Sequence, residues 1–243
     1  MNDIPEFRPF RLVIQTVTPV IITEFAPCLD ALIYAGLSQV YPGNSNGELL
    51  ERMKSILLFD EDIQVFHASS LRFVVTPDQG ITAKANYRVD CIRGKLESSL
   101  FKPNGSKNKY KAVTTAGGPT KTRMSYRAAY SSAMYVFDGV GYPDKIRTLL
   151  LNAFVGIGYD AFNVGSGEIK HIDIIDLEDD LSLHHAGQVR RNLPVSFCKT
   201  HQLEGRDSVS ALTPPYYDHL KAEPARSPNR IDAIPSNRLF DAI

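Results

Sequence analysis

Forty residues in the middle of the chain, from Cys91 to Tyr130, carry nine Lys or Arg and a single acid, Glu97. That is a net of +8 inside a protein whose formal net charge is zero, so everything outside the segment sums to −8. The cations are Arg93, Lys95, Lys102, Lys107, Lys109, Lys111, Lys121, Arg123 and Arg127. Among them stand Tyr110, Tyr126 and Tyr130, with the turn formers Pro103, Asn104, Gly105, Gly117, Gly118 and Pro119. Weak periodicity and frequent turn residues make the segment a long loop or an extended hairpin. The packed core therefore has to come from what flanks it. A phosphate backbone is attracted to such a patch and releases counterions on binding, and interleaved aromatics stack on unpaired bases. A solvated basic loop without a partner fits the charge equally well.

The flanks read as regular elements. Residues 9–23 are rich in β-branched side chains and read as a strand with a break at Pro19. Leu29, Leu32, Ile33, Leu37 and Val40 recur at three and four, predicting a helix that Tyr41-Pro42-Gly43-Asn44 ends. A second helix is predicted from about Gly47 to Phe59. Residues 63–75 then read as one or two strands and residues 81–92 as another. After the basic segment, Ala133–Phe137 is a short buried-type strand. Pro143 opens a helix in the first-turn position where its missing N–H is not needed, and Ile146, Leu149, Leu150, Ala153 and Phe154 give that helix its apolar face. A glycine-rich loop, residues 156–167, leads into a strand over Glu168–Leu177. Beyond it, the acids Asp176, Glu178, Asp179 and Asp180 and a Pro-, Ser- and Arg-rich tail predict an irregular extension over 178–243, draped over the domain or ordered by a partner.

With 243 residues and 43% hydrophobic content the chain holds one large domain with insertions. Cys28, Cys91 and Cys198 are odd in number and far apart, so no disulfide scaffold is expected and a reducing cytoplasm is the simplest setting. No apolar run approaches the roughly 20 residues needed to span a bilayer. The first residues lack a basic n-region and a following apolar stretch, so no signal peptide is expected.

Without the insertion the order is βαββαβ. This predicts an α+β, ferredoxin-like (RRM-like) core over 1–177, a basic insertion at about 77–132 with a thumb-like hairpin, and the extension over 178–243. No RRM aromatic signature is present. Three segments carry a resemblance. Thr18-Pro19 followed by Leu29-Asp30-Ala31-Leu32-Ile33 resembles the first strand and helix of the RAMP superfamily of CRISPR proteins. Gly156, Gly158, Gly165 and Gly167 match the glycines of that superfamily's glycine-rich loop. The stretch from Leu212 to His219, LTPPYYDH, is similar to a PPYW-like segment of the Cas-five-like backbone subunit of type IV CRISPR complexes. This loop carries Tyr159, Asp160, Phe162 and Asn163 where the family has Lys or Arg, which leaves backbone N–H groups as its phosphate donors. A helix C-cap plus a bulge into the last strand is the other reading of these glycines.

The resemblance implies a non-catalytic subunit of a guide-RNA ribonucleoprotein in antiviral, DNA-targeting defence. Such a subunit binds the 5′ handle of crRNA and caps the backbone of the effector. The RNA-binding residues it implies are Lys102, Lys107, Lys109, Lys111, Lys121, Arg123, Tyr126 and Arg127 of the insertion, with Tyr110 as a second stacking ring. Gly156, Gly158, Gly165 and Gly167 of the loop complete the set. Expected partners are crRNA and the backbone and large subunits of the effector, with target DNA as a further candidate; no cofactor or membrane is implied.

Two other readings stay open: a guide-processing endoribonuclease of related fold, and a protein–protein module without an RNA role. A nuclease needs one of His67, His171, His184, His185, His201 or His219 beside a scissile phosphate with a Lys or Tyr near it. His67 and His171 read as sheet histidines, and His184-His185 as solvated. Cys198 and His201 offer two metal ligands at plausible spacing, with His184 or Asp180 as a third. Structural zinc wants four, so Cys198 reads as a small apolar residue and no metal is expected.

Overall fold

The computed structural model describes residues 7–90, 103–104, 109–110, 122–159 and 165–239, with the backbone alone at 86–90, 103–104, 109–110 and 219. The chain opens with β1 (Arg8–Thr16), β2 (Val20–Ile21), α1 (Leu29–Val40), α2 (Asn46–Lys54), β3 (Phe59–Asp60), β4 (Val65–Phe66), β5 (Arg72–Val75) and β6 (Thr82–Asp90). It continues through β7 (Pro103–Asn104), β8 (Lys109–Tyr110), β9 (Arg123–Ser131), β10 (Met134–Gly141), α3 (Pro143–Ala153) and β11 (Ile169–Asp176). The remainder holds β12 (His184–His185), β13 (Gln188–Val189), β14 (Leu193–Pro194), a short helix at Val195–Thr200, β15 (Arg206–Ser210), β16 (Glu223–Ser227) and β17 (Ala233–Pro235). The class is α+β. No helix among the described residues is long and apolar enough to cross a membrane.

Local chemistry accounts for the helix boundaries. Ser45 and Glu48 close a capping box at the start of α2: Ser45 N–H donates to Glu48 Oε2 at 2.7 Å and Glu48 N–H donates to Ser45 Oγ at 3.4 Å. The second helix was expected to run to Phe59 but stops at Lys54. Leu58 N–H is taken by Val140 O at 2.8 Å, and Ile56 O accepts from Tyr142 N–H at 2.9 Å. Pairing with the end of β10 thus claims the backbone that another helical turn would have used.

Contacts divide the chain into two compact units, 1–84 with 129–243, and 85–128. The first is built on a five-stranded sheet in the order β11-β1-β10-β5-β17. Each of its first four strands runs antiparallel to its neighbours among them, while β17 adds to β5 in parallel. Alternation along β1 divides the sheet's two faces. Phe10, Leu12 and Ile14, with Tyr135 and Phe137 of β10, are buried with Ile33 of α1 and Ile146 and Leu150 of α3. The opposite face holds Arg11, Val13, Arg72, Val74, Val136 and Asp138. Ile234 and Leu239 pack over it in a cluster with Val13, Val74 and Val136. At its centre Arg11 Nε donates to Asp138 Oδ1 at 2.7 Å, Arg72 pairs with the same carboxylate, and Arg11 also donates to Leu239 O at 2.8 Å. The face that an RRM would leave open for bases is occupied here by an ion triad and the chain's own tail.

The extension is more regular than its composition predicts. β15 and β14 flank β16 in a three-stranded sheet. Val189, Leu193, Cys198, Leu203, Leu212 and Ala225 pack with Val65 of β4 into a second apolar cluster. Apolar side chains spaced too irregularly to announce strands still suffice for a core when several short segments share it. In unit 85–128, β6 and β9 are sheet neighbours and β7 pairs antiparallel with β8.

Candidate nucleic-acid interface

The glycine loop is folded onto β2. Tyr159 N–H donates to Ile21 O at 2.8 Å, Gly167 N–H to Pro19 O at 2.9 Å and Ile157 N–H to Gly167 O at 3.0 Å. Glu168 N–H donates to Thr18 Oγ1 at 2.9 Å, and Thr18 Oγ1 in turn donates to Gly165 O at 2.6 Å. Gly156 makes an antiparallel bridge with Glu168. At Gly158 (φ +93°) a Cβ would stand 2.7 Å from Ile21 O, and at Gly167 (φ +58°) 2.2 Å from Ile157 O. Both positions require glycine for backbone conformation and for the close approach of the loop to its own neighbours. The amides at 157, 159, 167 and 168 are committed inside the loop, to β2 and to the Thr18-Pro19 break, so they are not the loop's phosphate donors.

The three segments that carry the family resemblance meet in space. Asp30, in the first turn of α1, is fully buried, and so is Arg191. Arg191 donates from Nη2 to Asp30 Oδ2 at 3.1 Å, to Leu212 O at 2.5 Å and to Tyr216 Oη at 3.2 Å, and from Nη1 to Phe66 O. Tyr216 Oη donates to Asp30 Oδ2 at 2.6 Å. Burial opposes the charge on Arg191, but the Asp30 carboxylate outweighs it and raises the guanidinium pKa. Burial, reinforced by the Asp30 charge, pushes the Tyr216 hydroxyl well above its usual range and the Cys28 thiol up to about 11. Cys28 is therefore a protonated, inert thiol against Ser70, 3.1 Å away. Sequence reading passed over Arg191 altogether, because nothing local marks one arginine of the tail as buried.

Beside this network a cleft of about 750 Å³ opens between β2, the start of α1, the glycine loop and the segment around Tyr216-Tyr217. Phe25, Tyr159 and Tyr217 stand at it with 41%, 47% and 70% of their surface exposed. Arg206 lies over the Phe25 ring, its guanidinium carbon 5.2 Å from the centroid. Asn192 and Ser210 contribute polar side chains.

The other residues expected to hold RNA fall in unit 85–128. Arg123, Tyr126 and Arg127 lie on β9; Arg123 and Arg127 share one face of the strand and Tyr126, 56% exposed, takes the other. Arg127 Nη1 donates to Tyr126 O at 3.3 Å. Lys109 and Tyr110 form β8. Lys102, Lys107, Lys111 and Lys121 lie outside the described residues.

Of the histidines, His67 Nδ1 sits 2.5 Å from Asp180 Oδ2, with Asp60 4.0 Å from its other nitrogen. His171 pairs with Asp173 at 2.8 Å on exposed β11. His184 and His201 lie 6.2 Å apart in a stack that also includes Phe197. Burial, followed by the charges of Arg190 and Arg72, lowers the pKa of His185. Among the described residues no three His, Cys, Asp or Glu side chains come together as a metal site. Comparison with family models and with curated proteins finds no match.

Proposed function

We propose that this chain is a non-catalytic RNA-binding subunit of a CRISPR guide ribonucleoprotein. It holds the 5′ handle of the crRNA, caps the backbone, and contacts the effector's backbone and large subunits. The observation that carries this reading is the coincidence of charge with compactness. Unit 85–128 contains ten Lys or Arg and two acids, a net of +8, while the other unit carries −8. A unit of that charge, with Arg123 and Arg127 on one face of β9 and exposed Tyr126 on the other, suits phosphates and unpaired bases. The acidic remainder suits basic neighbours in an assembly.

The core supports the same reading. Strands β11-β1-β10-β5, all antiparallel, with α1 and α3 as the crossovers, follow the order of a ferredoxin-like split-βαβ core. The resemblance segments, distant in sequence, converge on Asp30 and the adjoining cleft. Because the second sheet face is covered, RNA contact falls to the basic unit and the glycine-loop surface.

The test is to express the chain with and without its genomic neighbours, purify it and sequence whatever RNA accompanies it. One short species with a uniform repeat-derived 5′ end is expected. Replacing Lys109, Lys111, Lys121, Arg123 and Arg127 with Ala should weaken binding evenly across sequences and flatten the dependence of log Kd on log salt by about 0.7 per lost phosphate contact. Nucleic-acid-free protein, even alongside its neighbours, would overturn the reading and favour a protein–protein module.

A further inference from the structure

We propose that the cleft at Phe25, Tyr159 and Tyr217 holds one unstacked nucleobase of single-stranded RNA, with Arg206 on the adjoining phosphate and Asn192 and Ser210 on the base edge. The proposal rests on the RNA-binding reading and assigns it a base-holding site within the larger unit, separate in sequence from the basic segment.

Four observations favour a base over any other occupant. The cleft's volume, about 750 Å³, falls in the range of small-molecule sites and leaves room for a base. Three exposed rings, Phe25, Tyr159 and Tyr217, line it together with exposed Val209, and aromatic rings tolerate any base because every base has a π face. Arg206 supplies a positive charge at the Phe25 ring, and no acid pairs with it among the described residues. Such a cation beside a stacking ring matches a nucleotide, whose phosphate adjoins its base. The fourth observation is Ser210. Its hydroxyl is shielded from solvent and has no hydrogen-bond partner among the described residues. A buried hydroxyl without a partner is a cost carried by the empty cleft. Serine changes readily between staggered rotamers, and the one that faces a ligand with a polar edge gains the missing partner. An aliphatic side chain from a partner protein would leave Ser210 unsatisfied and Arg206 without a counter-charge.

The architecture explains why the site exists. Tyr217 follows Tyr216, which the Asp30–Arg191 pair anchors, and Tyr159 follows Gly158, whose closeness to Ile21 sets the loop on β2. Two stacking rings are thus held by buried contacts immediately next to them in the chain, which is the preorganisation a stacking slot requires.

The experiment uses the full chain, with Tyr217→Ala and Arg206→Ala as rim variants that leave the buried network intact. Two probes are applied: the four nucleoside monophosphates, followed by saturation-transfer NMR, and single-stranded RNA carrying 5-iodouridine, followed by affinity and by mapping the photo-crosslink. At least one monophosphate should bind wild type. Both variants should lose that signal and bind RNA about tenfold to a hundredfold more weakly, and the crosslink should map to Phe25, Tyr159 or Tyr217. RNA binding that both variants leave unchanged, with no monophosphate signal, overturns the base site while the RNA-binding reading stands. Monophosphate binding that Tyr217→Ala abolishes, in a protein that binds no RNA, keeps the site and removes the reading. Absence of both kinds of binding, or an apolar peptide held in the cleft in place of a nucleotide, overturns the proposal.

Discussion

Two charged side chains decide much of this structure at the scale of single residues. Arg191 and Asp30 are both fully buried, and each supplies the other's charge partner. A buried pair gains little over an apolar pair of the same volume, but half of one is costly. Arg191→Met should therefore cost about 3–5 kcal/mol by leaving the Asp30 carboxylate unpaired. In a chain of this length that lowers the thermal midpoint by about 2–4 °C per kcal/mol. Adding Asp30→Asn should recover part of the loss, which a double-mutant cycle of thermal unfolding will measure. Asp180 makes a pH-dependent contribution. Burial raises its pKa, but hydrogen bonds from His67 and Ser182 more than offset this and leave it below the ordinary carboxylate value. A carboxyl depressed in the folded state stabilises the fold above its unfolded pKa of about 3.9, and that stability is lost as pH falls through the folded value. The urea midpoint should accordingly fall less steeply below about pH 4 in Asp180→Asn than in wild type. Identical acid limbs would refute that role.

Glycine placement is the test at the scale of elements. Gly165 and Gly167 both have positive φ, at +67° and +58°, but only Gly167 has backbone within reach of a new Cβ. Gly165→Ala should cost about 1 kcal/mol, the price of the left-handed conformation alone. Gly167→Ala adds a clash with Ile157 O, so its thermal midpoint should fall further and the loop should lose protection from amide exchange around Ile21. Equal midpoints would mean that the loop adjusts freely and is not fixed by its packing on β2. The start of α3 was legible in sequence because Pro143 marks its first turn locally; the Ser45–Glu48 box that starts α2 came from the structure. The stop of α2 at Lys54 was not legible in sequence, because it depends on hydrogen bonds to Val140 and Tyr142.

For the whole molecule, the division at 85–128 makes excision informative. Replacing that segment with a short Gly/Ser linker should leave the remaining residues folded, with far-UV dichroism and a cooperative transition retained, and a net charge of −8. On the proposed RNA-binding reading, the shortened protein should lose the salt-dependent part of the affinity. The pairing of Ala129 and Tyr130 with β2 lies within the retained residues, so collapse of the transition would show that the larger unit depends on the insertion for its stability.

By itself the sequence determined the main strands and helices as far as β11, the position of the glycine loop and the regional separation of charge. All three are local properties, written in periodicity, in caps and in composition over a few tens of residues. Only the tertiary structure decided that the sheet's second face is sealed by Ile234 and Leu239, that Arg191 is the anchor of the extension, and that a cleft forms between β2, the glycine loop and Tyr217. Asp30 is 161 residues from Arg191 and 186 from Tyr216 along the chain. No period or spacing encodes a contact across such a separation. It arises because a buried carboxylate must find donors: the Ala31 N–H supplies one locally, and packing of the extension brings the Arg191 and Tyr216 side chains to it.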